Sequence, residues 1–306
     1  MIKTYIVTLL VNSVICLVGG MLNPAYAATN LKTQQVINNK LVISADQLPP
    51  EIVEKGNYDF TGILSISRNT SLYDFQDGTR KDSIDYLAIP SLALSFGTFS
   101  AKISFAQDLR DDSAGASDWN DFPVTYAMKA IQWQWSPPYI ITLTPTLTAL
   151  IPTNAKTIKR DQLQSALTTG ISFGIIPDGI AQARDGAWNL ALGLTAGRAF
   201  HAYDVDINGL ALNKYSSNQT ANLGYTYKSV SLSAEYIHKT RWTYQGATRD
   251  SFIVSQELGY SISDRFAVAI GHTNEGSGLK ANATESNFSL VNENDSTVYG
   301  QLAVSF

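Results

Sequence analysis

The sequence predicts an all-β protein, a closed antiparallel transmembrane barrel of about twelve strands. Three observations carry that prediction. Apolar and polar residues alternate with period two through most of the chain from Tyr58 onward. Tight turns and longer polar segments take turns as connections. Only 16% of residues are charged, against about 25% in ordinary soluble domains.

Composition sets the exclusions. The 306 residues carry 22 Lys+Arg against 26 Asp+Glu, which excludes a basic nucleic-acid binder. A hydrophobic content of 44% with a formal charge of −4 excludes intrinsic disorder. The single Cys excludes a disulfide scaffold.

Residues 1–27 have the three parts of a secretory signal peptide. Lys3 gives a positive start, residues 6–21 are mostly apolar, and Ala25-Tyr26-Ala27 is an A-x-A cleavage signal after Pro24. Cys16 follows Ile15, where a lipoprotein site needs a small residue. No later stretch reaches the ~18 apolar residues of a membrane helix, so an exported chain must cross a membrane with strands or not at all. Residues 28–56, rich in Asn, Gln and Lys and holding Pro49-Pro50, read as a periplasmic extension, either a plug for the barrel mouth or a disordered tail.

The barrel is expected over 57–306. Strands are predicted near 57–68, 84–96, 99–107, 123–135, 139–150, 163–176, 187–200, 218–228, 230–241, 250–260, 265–272 and 296–306. In Val230–Tyr236, for example, Val230, Leu232, Ala234 and Tyr236 oppose Ser231, Ser233 and Glu235. The lengths suit the ~9–11 residues of a tilted membrane strand. Gly97-Thr98, Ser136-Pro137-Pro138, Lys228-Ser229 and Ser261–Asp264 are tight turns, and longer polar segments such as His201–Ser217, Arg241–Arg249 and Thr273–Asp295 lie between them. Short periplasmic turns opposite long extracellular loops are the asymmetry of outer-membrane barrels. Phe96, Phe99, Trp133, Trp135, Tyr139, Tyr227, Tyr260 and Phe266 gather at the turn end, as an interfacial girdle does.

The final strand, Thr297-Val-Tyr-Gly-Gln-Leu-Ala-Val-Ser-Phe306, places Val298, Leu302, Val304 and Phe306 on one face. It resembles the C-terminal signature of Gram-negative outer-membrane β-barrel proteins, of the roughly twelve-strand transporter and porin type. The resemblance implies that the barrel-assembly machinery reads those four residues. It also implies a place in the outer membrane among its lipid and lipopolysaccharide, and a channel or transporter for a small hydrophilic or amphipathic solute.

With apolar faces toward lipid, Lys102, Lys129, Glu235, Lys239, Arg241 and Glu257 project into the lumen or toward its mouth, where charge tunes selectivity. Ser100, Ser104, Thr142, Thr144, Thr146, Gly170, Gly174, Gly193 and Gly197 share the inward parity and leave room for water. The lumen is open in one reading; in the other these charges pair and close it, leaving a non-conducting surface barrel. His272-Thr273-Asn274 is faintly similar to the His-x-Ser motif of outer-membrane phospholipase A and lipid A deacylases. Asn274 stands where the nucleophilic Ser belongs, so no hydrolase activity is carried over. No metal cluster, phosphate loop or cofactor motif is present, and neither an enzyme activity nor a cofactor is expected.

Overall fold

The computed structural model of the chain describes residues 58–72, 81–109, 117–136, 139–177, 186–279, 287–292 and 295–306. The expected cleavage site and the extension at 28–56 lie outside the described residues.

A sheet with one apolar and one polar face cannot hide either face alone. Closure turns the polar face inward and leaves no unpaired edge. The strands run β1 (Tyr58–Ser71), β2 (Asp82–Leu94), β3 (Gly97–Ala101), β4 (Ile103–Asp108), β5 (Ser117–Trp119), β6 (Phe122–Met128), β7 (Ile131–Ser136), β8 (Tyr139–Ile151), β9 (Leu163–Pro177), β10 (Ala187–His201), β11 (Asn213–Tyr227), β12 (Val230–Thr243), β13 (Thr248–Ser261), β14 (Phe266–Ser277) and β15 (Ser296–Ser305). Every pairing is antiparallel, and β1 pairs both β2 and β15, so the ring closes. With β3–β4 as one staff and β5–β7 as another, twelve staves form the barrel. A short helix, α1 (Ala155–Lys159), sits in the β8–β9 loop, with Asn154 capping it through Lys156 N and Thr157 N.

Parity follows the ladder. Leu64, Leu147, Leu194, Leu232, Leu258, Ile270 and Leu302 point outward and are exposed. Phe99, Trp133, Trp188, Tyr260 and Phe266 ring the short-turn end, also exposed. A lipid-facing belt with aromatic girdles explains why so many large apolar residues lie on the surface. An apolar cleft of about 560 Å³ on this outer face, between Leu64, Tyr86, Phe105, Trp119 and Leu302, belongs to the belt and not to the lumen.

One stave, β5–β7, breaks the alternation twice. Ala101 pairs Val124 and Phe105 pairs Trp119, so four steps on one strand face five on the other. Ala127 pairs Thr146 and Ile131 pairs Leu143, four steps against three. Each is a one-residue bulge. Between the first pair of registers, Lys102 N still donates to Pro123 O (3.0 Å) and Asn120 N to Ser104 O (2.9 Å). The odd residues keep Trp119, Phe122 and Trp133 on the lipid side.

Most strands run further toward the outside than hydropathy alone marks. β11 starts at Asn213, and β14 continues to Ser277. At those upper ends outward positions carry Gln219, Ser217 and Gly276, so apolar alternation fades while the ladder continues. The segment Arg241–Arg249, expected as a loop, is mostly strand, and Tyr244–Ala247 alone make the turn. The closure seam is tied by Phe306. Gly62 N donates to Phe306 O (2.9 Å), and Phe306 N donates back to Gly62 O (3.0 Å). The Phe306 ring lies over Gly62, where any Cβ would collide with it, and 6.2 Å from the Phe60 ring.

Candidate functional site

The inner surface has two unlike halves. From β8 to β11 it is built of small side chains in tiers set by register. Thr142, Gly174, Ala191 and Asn222 form one tier that ends on Glu235 of β12. Thr146, Gly170, Thr195 and Asn218 form another that ends on Lys239. Thr148, Thr168, Gly197 and Ser216 form the outermost of the three, which ends on Arg241. Most of this wall is partly accessible, although it lies inside the ring. Several of its glycines are filled in by neighbours: a Cβ on Gly170 would meet Thr146 Oγ1 at 2.7 Å, and one on Gly174 would meet Thr142 Oγ1 at 2.6 Å. The hydroxyls therefore lie flat against the wall rather than across the lumen.

The opposite half, β12–β15 with β1 and β2, is packed. Ile63, Leu87 and Ile89 form a buried apolar cluster at its base. Above it Asn69 Nδ2 donates to Asp85 Oδ2 (2.9 Å), and Lys102 interacts electrostatically with Asp85. Tyr299 Oη donates to Glu257 Oε2 at 2.6 Å in a buried setting. Those two residues sit on β15 and β13, with Gly271 of β14 between them in register. Because Gly271 has no side chain, the Tyr299 ring crosses β14 to reach its acceptor.

Charge on this wall is sorted along the strands. Glu257 faces Ser233, and Glu235 is the next inward position up β12. Lys239 and Arg241 follow toward the outside, and Arg241 lies directly opposite Arg249. Lys239 Nζ is 3.9 Å from Glu275 Oε1. Like charges in direct register repel, so the Arg241–Arg249 pair makes the outer lumen locally basic.

The structure thus places Lys102, Glu235, Lys239, Arg241 and Glu257 on the inward face. Lys129 stands apart: it is exposed in the bulge between β6 and β7, its backbone N donating to Phe96 O beside the β2–β3 turn. Sequence reading passed over Arg249, Asp85 and Tyr299. Arg249 fell in an expected loop, and Asp85 in a strand without clean alternation. Tyr299 was readable, since it takes the parity opposite to Val298 and Leu302.

His272 and His238 point to the outer wall. His272 Nδ1 is 2.8 Å from Gln256 Oε1, and His238 Nδ1 is 2.6 Å from Gln219 Oε1. Asn274 Nδ2 donates to Ser289 O at 2.7 Å. Among the described residues no group of three or more His, Cys, Asp or Glu is arranged to hold a metal ion.

Outside the membrane, the β8–β9 and β10–β11 loops are clasped. Asp206 accepts from Asn208 N and Leu210 N, both at 2.8 Å. The Leu210 amide and then the other donors around it, with Arg160, hold that carboxyl below its ordinary value against the opposing effect of burial. Arg160 is pushed up, first by its side-chain bond to Asp161, and it lies 3.9 Å from Asp206 Oδ2.

No protein-family model matches the chain, and no curated protein sequence does. Among solved structures, an outer membrane channel from Pseudomonas putida F1 is similar at TM-score 0.49 and 12% identity, over 85% of this chain and 99% of that one. NanC porin aligns at TM-score 0.40 and 11% identity, over 79% and 98%. KdgM porin aligns at TM-score 0.39 and 10% identity, over 80% and 99%. The closed ring, its lipid-facing belt and its short-turn end describe an outer-membrane β-barrel.

Proposed function

We propose that the chain is a passive channel for a small hydrophilic or amphipathic solute. The observation that supports it is the accessible tiered wall of β8–β11. A barrel sealed by its own side chains would bury that face as β12–β15 bury theirs. Hydroxyls, amides and bare backbone offer hydrogen bonds to a passing solute without bulk. Glu235, Lys239, Arg241 and Glu257 on the facing half, with Lys102 beside Asp85, would set its charge preference. No hydrolytic step belongs to this reading, because Asn274 occupies the place of a nucleophile and is itself engaged with Ser289.

The test is single-channel conductance of the refolded protein in a planar bilayer, with heat-dependent gel mobility as proof of folding. Discrete steps are expected. In a tenfold KCl gradient, replacing Arg241 and Arg249 together by Glu should move the zero-current potential toward the cation limit. Glu235→Gln should move it the other way. A barrel that folds but passes no current would overturn the proposal and leave a closed surface protein.

A further inference from the structure

In one patch of the outer wall, four residues contradict their own parity. Phe252, Val254, Asn274 and Ser296 point outward, yet their exposures are 3%, 5%, 1% and 1%. Outward neighbours lower on the same strands, such as Leu258 and Ile270, are open to the surroundings. The cover is residues 287–292 of the β14–β15 loop. The Phe288 ring packs 5.4 Å from Phe252 and 5.7 Å from Tyr236. Asn274 Nδ2 donates to Ser289 O, and Asn292 N donates to Ser296 Oγ at 2.9 Å. Asn287 N donates to Gly278 O at 3.1 Å. This segment lies on the outside of the wall rather than over the lumen.

Its height can be counted. A strand rises ~3.3 Å per residue and tilts ~40° in such barrels, so each residue adds about 2.5 Å of height. Asn274 lies eight residues above Phe266 at the girdle, and Val254 seven above Ser261. Both therefore sit about 17–20 Å up an apolar band about 25 Å tall. That is the level of outer-leaflet hydrocarbon, where an uncovered amide would have no partner. The covering segment gives the Asn274 side-chain N–H a backbone acceptor and leaves much of its own apolar surface uncovered. Phe288, Leu290 and Val291 are 51%, 59% and 50% exposed.

We infer that residues 287–291 form a flap embedded in the outer leaflet, with Phe288, Leu290 and Val291 against lipid acyl chains. The flap shields the polar outward patch of β13–β15 from hydrocarbon and holds part of the longest loop away from the channel mouth. Continuity with the belt below identifies the partner: Leu258 and Ile270 face the same surroundings.

The experiment is depth quenching in the full-length protein with Cys16 replaced by Ser. Val291→Cys, and separately Leu290→Cys, carry an environment-sensitive fluorophore after refolding into phosphatidylcholine vesicles with or without acyl-brominated lipid. Leu232→Cys on the barrel wall and Tyr203→Cys in an extracellular loop are the references. The flap sites should be quenched at least half as strongly as Leu232, and adding Asn274→Ala should lower that quenching. Flap sites quenched no more than Tyr203 overturn the inference. So does protection from aqueous iodide without bromine quenching, which would place a second protein copy on this face.

Discussion

Replacing Gly271 by alanine should unseat Tyr299. The new Cβ would stand 2.6 Å from Tyr299 Cε1, and nearer still to Cζ and Oη. The ring must swing off β14, and its hydroxyl then leaves Glu257. Losing a donor to a buried carboxyl costs ~1–3 kcal/mol. Alanine over glycine in a strand returns ~0.5–1 kcal/mol through lower unfolded-state entropy, so the net cost should be about 1–2 kcal/mol. In a Tyr299→Ala background there is nothing left to unseat. There the same Gly271→Ala change should be neutral, or stabilising by up to ~1 kcal/mol. The two sites therefore couple by roughly 2 kcal/mol. Urea unfolding in lipid vesicles, followed by tryptophan fluorescence, measures all four members of the cycle. An equal cost for Gly271→Ala in both backgrounds would refute the argument that the glycine exists to let the tyrosine through.

Two other outcomes follow from features at opposite ends of the barrel. Deleting Phe306 removes both backbone bonds to Gly62 and the ring that covers it; folded protein in outer-membrane fractions should fall several-fold on heat-shift gels, and unchanged levels would count against Phe306 as an assembly signal. The Asp206 carboxyl is held below its ordinary value of 3.8, so its contribution to loop order is present above that value and is lost as pH falls through the depressed one. Amide exchange at Asn208 and Leu210 should accelerate over that acid window relative to intrinsic rates, and Asp206→Asn should abolish the dependence.

Much of the barrel was legible because lipid on one side and water on the other impose strict alternation. The twelve predicted segments correspond to the twelve staves, and Val230–Tyr236 shows why: each residue meets one medium only. Legibility failed where that cause weakens. At the outer ends of β11 and β14 the wall rises toward the headgroups, or is covered by the flap, and outward residues such as Gln219 and Asn274 are polar. The bulges at Asn120–Phe122 and Lys129–Ala130 shift parity by one, which a period-two reading registers only as noise. Inward charges on cleanly alternating strands, Glu235 and Lys239, were readable from parity. Their sorting was not, because it depends on which residue of β13 stands opposite each one. Arg249 faces Arg241 only once β12 and β13 are in register.

The wall of β8–β11 has a consequence for how such a protein changes over generations. Thr142, Thr146, Gly170 and Gly197 contribute little bulk, so the frame is held by backbone ladders and by the packed half across the lumen. On the proposed channel reading, an exchange at Thr142 or Thr146, rather than at the glycines those hydroxyls already fill, would write a new group into the passage. On that reading, the hydrogen-bonding part of solute preference lies on this wall, apart from the packed half that carries both the charges and the structural integrity. A barrel built this way is a reusable frame with a nearly blank inner page.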